Sequence, residues 1–152
     1  MSDIQAIADR LAISDVLVRY GTALDTGDPA LLESCFCPDA VLEFDRAPAT
    51  TPGGFAERAK RLRNLAATQH IITNISADLD GDRATSTSYV LAMQAWGAAE
   101  GRETLLTGGS YADTLVRTAA GWRIAHRRFT SLWAVRGTDV MTPAHDKLPV
   151  GA

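Results

Sequence analysis

The sequence predicts an α+β domain in which a cone-shaped, curved antiparallel sheet wraps round N-terminal helices. Three observations carry this. Apolar residues recur at three- and four-residue steps from Ile4 to Leu24, the second half holds four long runs rich in Val, Ile, Thr, Tyr and Trp, and short glycine-containing turns separate those runs. Helices first and strands afterwards lead to helices packed on one face of a sheet, not to alternating units around a parallel one.

In chain order, Ile4, Ile7, Ala8, Leu11, Ala12, Val16, Leu17, Tyr20 and Leu24 predict a first helix with one buried stripe. Asp25-Thr-Gly-Asp-Pro29 breaks it, with Gly27 suited to a left-handed cap and Asp28 to capping a new helix that starts at Pro29. That second helix runs through Leu31, Leu32 and Phe36 and stops before Pro38, and residues 39–44 alternate as a short strand. A loop over 48–54 and a charged third helix over 55–65 follow. Strands are expected over 69–79, 83–98, 103–116 and 122–135, with turns at 80–82, 98–101 and 118–121. Runs this long would extend for roughly 40 to 50 Å, so they must bend. Gly97, Gly101, Gly108 and Gly109 offer the places. The domain is expected over residues 1–137 and an irregular tail, lying along a neighbouring subunit, over 138–152.

With 152 residues, 46% of them hydrophobic and 22% charged, the chain suits one soluble domain. A net charge of -3 argues against nucleic acid as a partner, since phosphate binding needs a basic face. Arg58, Lys60, Arg61 and Arg63 form the one basic run, read as a solvated helix face or an anion contact. The first ten residues lack the apolar core of a secretory signal, and no apolar stretch approaches the roughly 20 residues that a membrane helix needs. Cys35 and Cys37 are too close for an ordinary disulfide and lack zinc-site companions, so free thiols in a reducing cytoplasm are expected.

A sheet bent round a long helix leaves a ligand cavity at the open end of the cone. Phe44, Tyr89, Met93, Trp96, Phe129 and Trp133 are candidates for its lining, with Ser110 beside them as a polar contact. Asp25 is the first candidate for chemistry, because a carboxylate is unfavourable at a helix C-terminus and calls for a reason. Tyr20 lies about 140° from it around an ideal helix, so the two share a site only if the helix loosens. His70 opens the first long strand. An Asp25–His70 pair would fix the imidazole tautomer and let His70 move a proton to or from carbon or oxygen. Of Arg127 and Arg128, alternation sends one inward, to hold a substrate oxygen or the Asp25 carboxylate. No metal cluster, phosphate-cradling loop or nucleophile elbow is apparent, so chemistry without metal or cofactor is the expectation.

The stretches Ile13-Ser-Asp-Val-Leu-Val-Arg-Tyr20-Gly-Thr-Ala-Leu-Asp25-Thr-Gly-Asp28, Phe36-Cys-Pro-Asp-Ala-Val41, His70-Ile-Ile-Thr-Asn74, Gly109-Ser-Tyr111-Ala-Asp113 and Gly121-Trp122-Arg-Ile resemble the SnoaL-like branch of the nuclear transport factor 2-like superfamily, over roughly residues 3 to 135. The resemblance implies a cystatin-like α+β barrel. It is nearest to scytalone dehydratase, lindane dehydrochlorinase and bile-acid 7α-dehydratase, whose helix-end Asp and strand-opening His match Asp25 and His70. The bile-acid enzyme's Tyr falls on Tyr20, and the dehydrochlorinase's Arg falls on Arg127. Where the dehydrochlorinase has Lys this chain has Tyr20, which favours loss of water over loss of halide. The resemblance thus implies elimination from a small, largely apolar hydroxylated cyclic, polyketide-like or terpenoid-like molecule, with isomerisation, cyclisation or plain ligand binding as alternatives. It also implies a homo-oligomer, trimer or dimer.

Overall fold

A computed structural model of the chain describes residues 3–45, 47–97 and 103–138. Helix α1 (Asp3–Thr26) leads through α2 (Pro29–Glu33) to strand β1 (Phe36–Phe44). Strand β2 (Ala47–Thr50), helix α3 (Pro52–Ala59) and a 3₁₀ turn (Lys60–Asn64) follow. Four long strands complete the chain: β3 (Ala67–Asp80), β4 (Arg83–Ala95), β5 (Glu103–Thr118) and β6 (Gly121–Thr138). They form one curved sheet in the order β2-β1-β6-β5-β4-β3. All neighbours are antiparallel except β1 and β6, so the expected antiparallel sheet is in fact mixed. Among the described residues no helix is long and apolar enough to cross a membrane.

Local chemistry explains the joints. Gly27 adopts φ +67° as α1 ends, and Asp28 accepts a hydrogen bond from the Leu31 amide ahead of Pro29, which caps α2. The hairpin turns between β3 and β4 and between β5 and β6 use Gly81 and Gly121 at positive φ. The turn expected over 98–101 and the tail from residue 139 lie outside the described residues.

Three elements depart from the sequence reading. The second helix is only one turn long, because Phe36 enters β1 beside Ile124, and Pro38 sits where the β1–β6 register is interrupted and no ladder donor is needed. Of the loop expected over 48–54, residues 48–50 belong to β2, which pairs with β1, and residues 52–54 open α3. The buried stripe of α1 is the expected one from Val16 to Leu24 but is rotated in the first turns. Asp9, Ile13, Val16, Leu17, Tyr20, Ala23 and Leu24 face the core, whereas Ile4, Ile7 and Leu11 are exposed. Both stripes obey helical spacing. The first turns follow Asp9, whose carboxylate accepts from both Arg117 terminal nitrogens at 2.6 Å and from the Trp122 indole at 3.2 Å.

The sheet bends where its register shifts, between Thr73 and Ser76, between Gly108 and Gly109, and between Thr114 and Leu115. Gly109 permits this crowding: a Cβ there would stand 2.3 Å from the Phe129 ring.

Candidate active site

The helix end and the edge strand supply the first pair of groups. Asp25 occupies the last turn of α1, and α1 lies against β3 so closely that a Cβ on Gly21 would come within 3.2 Å of the His70 carbonyl oxygen. His70 Nδ1 lies 2.7 Å from Asp25 Oδ1, and the His70 amide donates to Oδ2 at 2.8 Å. The Thr68 hydroxyl donates more weakly to Oδ1 at 3.4 Å. In the neutral imidazole a carboxylate acceptor places the proton on Nδ1 and leaves Nε2 bare. The imidazole is 6% exposed and Asp25 25%.

His70 lines a cavity of about 520 Å³ inside the cone. Aromatic rings form a closed collar around part of its wall. Tyr20 stacks on Phe55, Phe55 on Phe44, Phe44 meets Phe129, Phe129 meets Tyr111, and Tyr111 returns to Tyr20, with centroids 5.2 to 6.1 Å apart. Small side chains make the room: Ala47, Ala59, Val90, Ala92, Thr107 and Ala134 all face it. Polar groups on the lining include Gln94, Ser131, Asp45, Arg58, Arg61 and Arg136.

Of the residues singled out by sequence, Tyr20, His70, Phe44 and Phe129 line this cavity. Asp25 joins it through His70. The geometric objection to Tyr20 disappears without any loosening of α1, since Tyr20 faces the cavity directly while Asp25 reaches round to the strand.

Arg127 is the inward arginine, and Arg128 points out to pair with Glu43 at 2.8 Å. Arg127 holds neither substrate space nor Asp25. It is completely buried behind the cavity wall, where Asp113 accepts its Nε and Nη2 hydrogens at 2.8 and 2.7 Å. Its guanidinium carbon lies 4.2 Å from the Tyr20 ring centre and 4.1 Å from that of Tyr111, so both phenols rest on a cation. Burial opposes that charge, but Asp113 more than restores it and keeps the guanidinium ionised. Burial also raises the phenol pKa values of Tyr20 and, more strongly, Tyr111, with the Arg127 charge opposing the rise in each. Both hydroxyls are therefore protonated at neutral pH and able to donate, and they stand 3.5 Å apart.

Five expected lining residues are placed elsewhere. On β4 the inward positions are Val90, Ala92 and Gln94, so Tyr89 and Met93 fall on the outer face. Ser110 pairs directly with Tyr89 and shares that face, since Leu105, Thr107 and Tyr111 are the inward residues of β5. Trp133 would follow Phe129 and Ser131 inward, but an extra residue at Leu132 reverses the alternation, and Ala134 and Arg136 face in instead. Trp96 lies past the end of β4 and outside the lining, with the Arg136 guanidinium 6.0 Å from its ring. Residues missed by sequence are Tyr111 and Phe55. Tyr111 had a signal, the two-residue step from Leu105 through Thr107. Phe55 had none beyond its place on a charged helix. Cys35 and Cys37 are free and buried, and among the described residues no group of side chains could hold a metal ion.

Comparison with known proteins agrees with this architecture. An uncharacterized protein of Mycobacterium tuberculosis is 32% identical over 131 residues, covering 84% of this chain and 88% of the relative. The terrestric acid biosynthesis cluster protein E of Penicillium crustosum is 31% identical over 139 residues, covering 84% and 86%. The solved structure of a hexachlorocyclohexane dehydrochlorinase from Novosphingobium barchaimii superposes with a TM-score of 0.80 at 17% identity, covering 93% of this chain and 98% of that one, a likeness of fold. The model of the SnoaL-like domain matches residues 5–128, and the chain belongs to that family.

Proposed function

We propose that the protein is a cofactor-independent dehydratase of the lyase class, acting on a small, largely apolar hydroxylated ring compound. The observation that carries this reading is the 2.7 Å Asp25–His70 contact, made by an imidazole whose other nitrogen belongs to a group on the cavity wall. His70 Nε2 removes a proton from a carbon next to the one bearing the hydroxyl. The C–H electrons become the new C=C bond, and the C–O bond breaks. The same imidazolium then returns its proton to the departing oxygen, so that water leaves and His70 is regenerated. Asp25 holds the ring in this tautomer and balances the transient charge. Tyr20 and Tyr111 donate to the oxygen on which charge develops, with Arg127 behind both rings. The relation to a biosynthesis-cluster protein and the fold shared with a dehydrochlorinase support small-molecule elimination.

A panel of cyclic β-hydroxy ketones incubated in D₂O tests the reading by mass spectrometry. Loss of water is expected, and Asp25→Asn or His70→Ala should slow it at least about a hundredfold with the fold intact. Deuterium uptake without water loss would favour an isomerase or cyclase, and unimpaired variants would remove both residues from the mechanism. We also propose a homo-oligomer, dimer or trimer, formed through the outer sheet face, where Tyr89, Leu132, Trp133 and Val135 are each about half exposed. Light scattering of wild type and Trp133→Lys tests it, and a monomeric wild type would refute it.

A further inference from the structure

The basic run of the sequence resolves into two kinds of residue. Lys60 is paired with Glu57 at 2.5 Å, and Arg63 donates to the Gly27 carbonyl through Nε at 2.8 Å. Arg58 and Arg61 instead turn onto the cavity. They stand three residues apart where α3 passes into the 3₁₀ turn, a geometry in which residues i and i+3 align on one side. Arg58 lies 5.9 Å from the centre of the Phe44 ring, at the aromatic collar. Among the described residues no carboxylate is within ion-pair distance of either guanidinium. Of the other charged groups on the cavity wall, Arg136 pairs with Glu103 at 2.9 Å, His70 is held by Asp25, and Asp45 keeps its negative charge while accepting the Ser131 amide at 2.6 Å, which leaves the arginines in excess. One wall of the hollow therefore carries two arginines with no ion-pair partner among the described residues, Arg58 half-buried and Arg61 exposed, and their combined positive field reaches into the cavity.

We infer that the substrate is a carboxylate, its acid group seated against Arg58 and Arg61 and its ring body against the aromatic collar. The inference rests on the cavity being the substrate site, and it deepens the dehydratase reading by naming the substrate's charge. Guanidinium suits this task because its planar fork can meet both oxygens of a carboxylate. The contact would also fix which carbon of the ring is brought to His70.

Paired probes of one shape test this without the natural substrate: 2-naphthoate and its neutral amide, 2-naphthamide, titrated calorimetrically against the full chain. Naphthoate should bind at least about tenfold more tightly, with the preference shrinking several-fold on going from low salt to about 0.5 M NaCl. Arg58→Gln and Arg61→Gln should each weaken naphthoate several-fold, and together they should abolish the preference while leaving naphthamide unchanged. Equal affinities, no binding of either probe, or a preference that survives the double substitution would each overturn the inference. Repeating the titration with His70→Ala separates the two proposals. A preference lost there but kept in the arginine variants would assign the anion to the imidazole, refuting the arginine site without touching the dyad, which turnover tests independently.

Discussion

Replacing Arg127 by Met should destabilise the protein far more than it alters the shape of the cavity wall. The side chains of Arg127 and Asp113 are both fully buried and share two short hydrogen bonds. Removing the guanidinium leaves a carboxylate in the core without its donors and takes the cation from beneath Tyr20 and Tyr111. Breaking a buried pair on one side typically costs about 3–5 kcal/mol. With a urea m-value of about 2 kcal/mol/M, that moves the unfolding midpoint down by roughly 1.5 to 2.5 M. The pair itself is imperfect, because Arg127 Nη1 is buried with no hydrogen-bond partner. Replacing both members with apolar residues, Arg127→Met with Asp113→Leu, should therefore recover most of the loss and return to within about 1–2 kcal/mol of wild type. Urea denaturation followed by circular dichroism measures all four proteins of the cycle. A single substitution costing under about 1 kcal/mol, or a double as unstable as the sum of the singles, would refute the account of Arg127 as a buried support held by Asp113.

Three further outcomes follow from the geometry. Asp9 is held below the usual carboxylate range chiefly by its hydrogen bonds to Arg117, against the opposing pull of burial. Its ion pair thus adds stability above the ordinary Asp range near pH 4, and this is lost as pH falls toward the depressed folded value; the gap between urea midpoints at pH 6 and pH 3 should narrow in Asp9→Asn. Gly21→Ala places a methyl 3.2 Å from both the His70 carbonyl and Ile72 Cγ1, so α1 must withdraw by a few tenths of an ångström and stretch the Asp25–His70 contact. Turnover should fall by up to about tenfold with substrate affinity little changed, and an unaffected rate would show that the dyad tolerates that displacement. Phe55→Ala opens the collar between Tyr20 and Phe44, each ring contact being worth about 0.5–1.5 kcal/mol; thermal unfolding should shift down accordingly, and naphthamide binding should weaken.

The fold was legible because its signals are periodic. A three-to-four step marked α1, two-residue alternation marked the long strands, and glycine marked the turns where the structure has positive φ. Which side of each strand faces the cavity was not legible, for a physical reason. The sequence reading placed the large alternating set Tyr89 and Met93 inside, as the apolar lining of the cavity. The interior is a cavity, so the small set Val90 and Ala92 faces it and the large set is left outside. Trp133 failed for a different cause, a one-residue bulge that no local composition announces. Alternation left open which of Arg127 and Arg128 turns inward; Arg127 does, and its partner Asp113 sits on the neighbouring strand, a pairing that only the β5–β6 register supplies.

Asp25 illustrates how fold and chemistry meet. Its position at the end of α1 is electrostatically unfavourable in an isolated helix, since the carboxylate adds to the negative end of the dipole. Strand β3 is the last strand of the sheet, so the outward amides of its free side have no ladder partner. Asp25 meets one of them: the same carboxylate takes the His70 amide on one oxygen and the His70 imidazole on the other. The backbone bond closes an exposed edge, and the side-chain bond sets the tautomer. The close approach that allows both depends on the missing side chain at Gly21, one helical turn earlier on the same helix. The unfavourable helix-end charge and the unpaired sheet edge thus offset each other, and the dyad is the result of that contact. An Asp25→Ala chain should accordingly lose protection of the His70 amide in hydrogen exchange as well as turnover, whereas a purely catalytic carboxylate would leave that amide unchanged.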